Sequence, residues 1–482
     1  MPSSKKRAGW GGRRQGSIHF TNRIESIQRQ AAIAITGAMR TVAGDAAIVH
    51  ANIKPIALQL RENGLKSYAR ILTRPASHPL HHATVKTARR PVKNHRTALH
   101  RLAADSAVVP TNIEKILTAN VGPDECSPYE VRIADNKDEA IKWDEEIANK
   151  GTMIYTDGSC FKGMVGAAAV LYTNSTKQES LGYQLGTGHL HTVFEGELTG
   201  IILGLHLVNN YQEIHLPINF STDNQAALKA IRNRHSQPGQ HLVDEIHRLL
   251  EILHTRIADE QRNHLGRFTH DNPDNPATPE ENITFTWVAG HSGSTGNEEA
   301  DRVAKEAAEY ESDHRDCLPP YLHQTLPASV SAIRQMINNE TRQRTTTWWK
   351  QSPRFKKLKA IDPSLPSKKF AEITSTLTRR QTSILTQLRT DHAPFFAHLH
   401  RIGRADTPTC PQDSCNHAIE DLHHFFFICP AYTIPRYQLI RDLGRNKFSL
   451  PRLLADPKLI PLTIAYINST NRFKHILGNL GA

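Results

Sequence analysis

The stretch MIYTDGSC, residues 153–160, is where the chain first commits to a fold. Met153–Thr156 has the composition of a strand, and Asp157-Gly158-Ser159 has the composition of a turn, so the stretch reads as a strand ending in a Gly-Ser turn. Taken alone, Asp157 is a turn former whose side chain bonds nearby backbone. What it means depends on the company the rest of the chain gives it.

Between about 150 and 312 the strand-length runs TMIYT, GAAAVLY, LGYQLG, INFST and ITFTWV follow one another, with helical patterns between the later ones. That alternation predicts an α/β domain with a sheet flanked by helices. Asp223 ends INFSTD, immediately before the helix NQAALKAI with Asn224 at its start. Glu197 opens ELTGIILGLHLV, whose stripe is Leu198, Ile201, Ile202 and Leu205. Gly200 and Gly204, one turn apart, predict close approach of that helix to the sheet. Glu195 is a rival, but Glu197 directly precedes the stripe. Asp301 lies in GNEEADRVAKEAA, whose face of Ala300, Ala304, Ala307 and Ala308 predicts packing on a flat surface.

Singly, each of these acids reads as a cap or a solvated charge. Together they come from two strand ends and two sheet-packing helices, and open α/β sheets place their sites at strand carboxyl ends. Clustered carboxylates repel and hold protons. Hard divalent cations reverse this, taking carboxylate oxygens while keeping positions for water and phosphate. Two such ions roughly 4 Å apart clamp both oxygens of a phosphodiester displacement.

In this order YTDGSC, FEGELTGI, STDNQAALKAI and TWVAGHSGSTGNEEADRVAKEAA resemble ribonuclease H, above all the ribonuclease H domains of non-LTR retrotransposon polyproteins. The resemblance covers about 149–312 and implies a ribonuclease H-like mixed sheet flanked by helices. It also implies cleavage of the RNA strand of RNA–DNA hybrids with two Mg²⁺ (or Mn²⁺) ions. Carried over residue by residue, Asp157, Glu197, Asp223 and Asp301 match the metal-binding carboxylates. His291 matches the loop histidine that assists proton transfer, a task suited to a group of unperturbed pKa near 6.5. A protein distinguishes RNA from DNA through the 2′-OH. The backbone at Gly158, Ser159 and Cys160 and the side chains of Asn224 and Asn297 are the candidate contacts, although Ser159 also reads as a turn residue and Asn224 as a helix cap. Ala289 stands where related domains have Pro, and THDNPDNPATPEENI (269–283) reads as an inserted loop.

Beyond this segment the 482-residue chain is long enough for roughly three domains. Lys and Arg exceed Asp and Glu by 12, which favours a nucleic-acid partner, with solubility as the plainer account. No apolar run approaches a membrane span. Residues 1–20 form a basic arm without a signal-peptide core, expected to be disordered. Residues 21–75 have helical periodicity, with Ile24, Ile27, Ala31, Ile35 and Met39 near one face. They resemble the helical segment after a reverse transcriptase palm. No Tyr-x-Asp-Asp motif occurs and no endonuclease region precedes them, so a C-terminal remainder of an element without polymerase activity is expected. Residues 76–148 read as linker and irregular chain, and 325–482 as a mainly helical, basic region with a helix-poor tail.

Six cysteines make no disulfide framework in so long a chain. Within 410–430, CPQDSCNHAIEDLHHFFFICP spaces Cys410, Cys415, His424 and Cys429 as soft ligands for tetrahedral, structural Zn²⁺. His417 and His423 are rivals. His424 is preferred because HFFFICP resembles the end of the zinc-binding segment that follows ribonuclease H in these retrotransposons. The alternative is a helix burying Phe425, Phe426 and free cysteines. The competing function is a catalytically decayed nucleic-acid-binding remnant. A 3′–5′ exonuclease is disfavoured because Gly158 and Ser159, not x-Glu, follow Asp157. Location stays open between nucleus and cytoplasm.

Overall fold

The computed structural model describes residues 15–481 apart from 91, 93–95, 107, 109–110, 118–128, 148–149, 213, 234, 263–282, 291–293 and 445–447. The basic arm up to residue 14, His291 and nearly all of the inserted loop lie outside the described residues. The chain divides into two compact units, 63–339 and 1–62 with 340–482.

The first unit is built on one mixed six-stranded sheet. Its strands are β1 (Glu130–Arg132), β2 (Thr152–Phe161), β3 (Met164–Thr173), β4 (Thr176–Thr187), β5 (Ile218–Thr222) and β6 (Ile283–Trp287), in the order β1-β6-β5-β2-β3-β4. β2, β3 and β4 form an antiparallel meander. Its two-residue turns, Lys162-Gly163 and Asn174-Ser175, have positive φ throughout, and turns of that kind match strand twist. β5, β6 and β1 add in parallel on the other side of β2. The helices that matter for the sheet are α1 (Lys137–Ile147), α2 (Val193–Asn210), α3 (Gln225–Arg232), α4 (Gln240–Arg262) and α5 (Thr295–Glu309).

The sheet is covered on both faces, as its apolar runs require. On one side Ile154, Ala167, Ala169 and Leu171 pack in one cluster with Leu198, Ile201, Ile202 and Leu205 of α2 and with Leu242, Ile246 and Leu250 of α4. On the other, Met153, Tyr155 and Val170 meet Ala300 of α5. The expected Gly-Ser turn at 158–159 is corrected. β2 runs on through Asp157, Gly158, Ser159 and Cys160, paired with Ala168, Ala167, Gly166 and Val165, and the chain turns only at Lys162-Gly163. Asp-Gly-Ser signals a turn locally, but here strand pairing and a helix passing over Gly158 override it.

Outside the sheet, Leu65, Tyr68, Ala69 and Leu72 of helix Ile56–Leu72 pack with Ile113, Val330, Ile333 and Ile337. The buried Glu114 carboxylate accepts from Gly239 N (2.6 Å) and Val330 N (2.7 Å).

In the second unit the core is aromatic and aliphatic, with Phe425 and Phe426 among Ile384, Leu388, Leu453, Ile464 and Phe473. Two expectations are corrected. In helix Gln15–Thr36 the inward positions are Ala32 and Thr36, while Ile27 and Ile35 are 61% and 56% exposed, because the short side chains let helix Gly44–His50 come close. The tail is not helix-poor, for Thr433–Leu443, Leu450–Ala455, Ile460–Ser469 and Lys474–Leu477 are helical. Pro451 and Pro461 stand in first turns, where a missing N–H breaks no helical bond. Among the described residues no helix is long and apolar enough to cross a membrane.

Candidate functional site

Asp157 and Asp223 are brought together by strand register. The parallel β2–β5 ladder ends at the pair Thr156–Thr222, and each strand's next residue is its aspartate. Trp287 Nε1 donates to the Asp223 carbonyl oxygen (2.9 Å), holding the chain there as it leaves β5.

Glu197 arrives from α2 by a glycine contact. A Cβ on Gly158 would stand 2.3 Å from Glu197 N and 2.6 Å from the Gly196 carbonyl carbon. One on Gly200 would stand 2.8 Å from the Ala168 oxygen, and one on Gly204 2.7 Å from Ile154 Cγ2. The expected close approach at Gly200 and Gly204 is therefore present, and it extends to Gly196 and Gly158. Side-chain positions alternate along a strand. Gly158 meets α2, whereas Gly166, paired with the next residue Ser159, meets Ala304 of α5, so the two helices cover opposite faces.

The result is a group of three carboxylates, Asp157, Glu197 and Asp223, whose oxygens lie within 4.8 Å of one another. Asp157 and Glu197 are buried. Burial first, then the charges of Asp223 and Asp301, pushes Asp157 up to about 7, against the pull of Lys305 and the Gly158 amide. Burial, then Asp157 and Asp223, holds Glu197 well above the carboxylate range. Thr222 Oγ1 donates to Glu197 Oε2 at 3.3 Å. Without a cation such a group is held together against its own repulsion, and its all-oxygen donor set suits a hard divalent ion.

Asp301, half-buried on α5, is near enough to raise Asp157 but stands outside this group, with Lys305 Nζ 2.6 Å from its carboxylate. Glu195 is used otherwise. Its Oε2 accepts from Thr192 N (2.7 Å) and its own N–H donates to Thr192 Oγ1 (3.3 Å), closing the capping box that starts α2. Asn224 caps α3 through Ala226 N (2.9 Å) and Ala227 N (3.1 Å), and its side chain also hydrogen-bonds Glu197. Asn297 is buried, with Oδ1 lacking a partner. Ser159 is half-buried and Cys160 exposed. Ala289 is buried beside Ala134 and Ala140.

Sequence reasoning gave Gly158 only a backbone contact to RNA and missed its packing role and that of Gly196, because a glycine's need for space shows only once its neighbour is known. Gly158→Ala is expected to lower the melting temperature and to abolish any activity that needs Glu197. Overpacking of this kind costs about 1–3 kcal/mol, and here the clash is with backbone. Thermal denaturation and a hybrid-cleavage assay check it, and unchanged values in both would refute the contact.

In the other unit, Cys410, Cys415, His424 and Cys429 are all buried, with one ligand atom each within 4.8 Å of the rest. Cys415 and Cys429 Sγ are 3.4 Å apart. Just past Cys415 the chain turns back through Asn416 and His417, both at positive φ, and Cys410 N donates to the Ala418 oxygen (2.7 Å). Burial pushes the Cys410 thiol up to about 12. His424 Nε2 is buried without a partner, whereas His417 and His423 are exposed. Three thiols and an orphaned imidazole nitrogen in one buried group fit a soft tetrahedral metal.

No curated protein matches the chain. Among solved structures it is similar to the N-terminal RNase H domain of Rv2228c from Mycobacterium tuberculosis, solved as a maltose-binding-protein fusion. The identity is 20%, over 33% of this chain and 92% of that one, with a TM-score of 0.23. It is also similar to RNase H1 of the halophilic archaeon Halobacterium salinarum, at 17% identity over 32% and 96%, with a TM-score of 0.22. Residues 149–309, which hold all the carboxylates of the site, match the family model of RNase H.

Proposed function

We propose that this protein hydrolyses the RNA strand of RNA–DNA hybrids. The observation that carries the reading is the group of three carboxylates, two of them buried, gathered where the β2–β5 ladder ends, inside the segment that matches the RNase H family. Asp157, Glu197 and Asp223, with Asp301, would hold Mg²⁺ or Mn²⁺, two ions in the full site. Such ions supply Lewis acidity at the phosphate and lower the pKa of bound water.

The chain's own residues do the rest. β2, the end of β5 and α2 hold their carboxylates on rigid elements, so the charge that meets the scissile phosphate is preorganised. Lys305 neutralises Asp301. His291, by its place in WVAGHSG, would carry the proton. The backbone at Gly158, Ser159 and Cys160 and the Asn297 amide are the proposed contacts to the RNA, with Asn224 beside Glu197. In the other unit, Cys410, Cys415, His424 and Cys429 would hold structural Zn²⁺, since four protein ligands leave no open position. The order of helical segment, RNase H segment and Cys/His group supports an origin in a non-LTR retrotransposon, with the boundaries drawn from the sequence.

The purified full chain is expected to cut a labelled hybrid internally in its RNA strand when Mg²⁺ is added, leaving matched RNA and DNA duplexes intact. Hybrid binding without cuts would establish the decayed remnant instead. Trimming from the ends alone would establish an exonuclease.

A further inference from the structure

Helix α1 lies outside the segment that was read as the catalytic domain, yet one of its faces reaches the site. Ala140 and Asp144 are one turn apart on that face. Ala140 is fully buried against Ala134 and Ala289, the latter just past the end of β6. One turn on, the Asp144 carboxylate accepts hydrogen bonds from the side chains of Ser294 and Tyr155. Ser294 is the N-cap residue of α5, and its side chain does not cap the helix. Tyr155 belongs to β2, two residues before Asp157 and therefore on the same face. Gly296 lies flat on the Tyr155 ring, where an added Cβ would come within 2.2 Å of the ring carbons.

These contacts form two rungs between β2 and α5. Ser294 and Asp301 are seven residues apart, two helical turns, and so share a helix face. Tyr155 faces Ser294 at one level, with Asp144 joining the two. At the next level Asp157 stands near Asp301, whose charge it feels. Fixing the first rung fixes the rotation and slide of α5 at the second.

We propose that Asp144 is a positioning residue of the acidic site: by holding Ser294 and Tyr155 it docks the first turn of α5 on β2 and sets where Asp301 stands relative to Asp157. This rests on the nuclease reading for its consequence in catalysis, but not for its structural content. Asp144 Oδ1 is buried and has no partner, which leaves the other oxygen to meet Ser294 and Tyr155. Asparagine keeps one carbonyl oxygen and can do the same. Alanine cannot.

The test compares Asp144→Ala and Asp144→Asn in the full chain. In Asp144→Ala the Mg²⁺ concentration for half-maximal cleavage is expected to rise about 10-fold, the scale of losing an outer partner of a metal ligand, while KM for the hybrid holds. Asp144→Asn is expected to stay close to wild type. A general loss of folding would instead affect KM, kcat and Mg²⁺ demand together. Amide exchange across 295–298, followed by mass spectrometry without metal, is expected to quicken in Asp144→Ala and not in Asp144→Asn. The proposal is overturned if Asp144→Ala leaves both Mg²⁺ demand and exchange unchanged, or if Asp144→Asn is as impaired as alanine. Should the wild-type protein not cut at all, the nuclease reading falls, and the exchange comparison alone decides the role of Asp144.

Discussion

Asp157→Asn is expected to reduce hybrid cleavage by at least about 10²-fold, the scale of removing one preorganised charged group from a transition state, and to make the metal-free protein more stable. The two effects have one cause. The Asp157 carboxyl is held at about 7 rather than its ordinary 3.8 because burial and its acidic neighbours disfavour the anion. The folded protein therefore binds this proton more tightly than the unfolded chain does. Stability that is present below pH 4 is lost as pH rises toward 7. The span from 3.8 to about 7 corresponds to at most about 4 kcal/mol. Asparagine removes the charge and flattens that slope. Mg²⁺ should have the same effect on the wild-type protein, since a ligand that binds only the folded state stabilises it. Thermal melts at pH 5 and 7.5, with and without Mg²⁺, read all of this. A wild-type slope equal to that of Asp157→Asn would show that the carboxylates are not in conflict, and full cleavage by the variant would remove Asp157 from the mechanism.

Removing zinc from the Cys/His group is expected to unfold most of the unit that contains it. Binding of structural zinc contributes about 10–16 kcal/mol in small zinc modules, as much as the roughly 5–15 kcal/mol that holds a whole domain together. The three thiols touch the core, for Cys410, Cys415 and Cys429 are packed in the cluster built on Phe425 and Phe426. Cys415→Ser, or a strong chelator, should abolish the near-ultraviolet dichroism of those aromatics, with about one zinc per chain measured before treatment. A metal-free preparation that melts like the untreated protein would show the group to be an ordinary thiol-lined core.

Much of the sheet could be read from the sequence because its strands are short apolar runs bounded by Gly, Asn and Pro, and because α2 and α5 carry one-sided stripes. The gathering of Asp157, Glu197 and Asp223 could be read for a related reason. Each acid stands next to a recognisable element, so its side chain could be placed even where the local conformation was misjudged, as at Gly158-Ser159. What stayed hidden depends on partners distant in sequence. β1 is three residues without periodicity and owes its strand character to pairing with β6. Asp144 has no local signature, and its role exists only where Ser294 and Tyr155 meet it. The pairing of Asp301 with Lys305 is a turn-spaced ion pair that any exposed helix could carry. The inward face of helix Gln15–Thr36 was misassigned because large apolar residues outweighed alanine in the pattern, whereas close helix packing selects the small ones.

The place where the β2–β5 ladder stops has one more consequence. Rungs such as Ile154–Phe220, with Phe220 stacked on Phe285 at 4.7 Å, lie deep in the core and touch no ligand. Yet they act as a gauge block for the chemistry above them, since counting rungs upward fixes both the gap between Asp157 and Asp223 and the side to which each points. A slip of one residue would turn a carboxylate to the opposite face. Tolerance at the site is thus inherited from the hydrophobic interior, and a repacked core that still folds could leave every acidic residue in place and the instrument out of calibration.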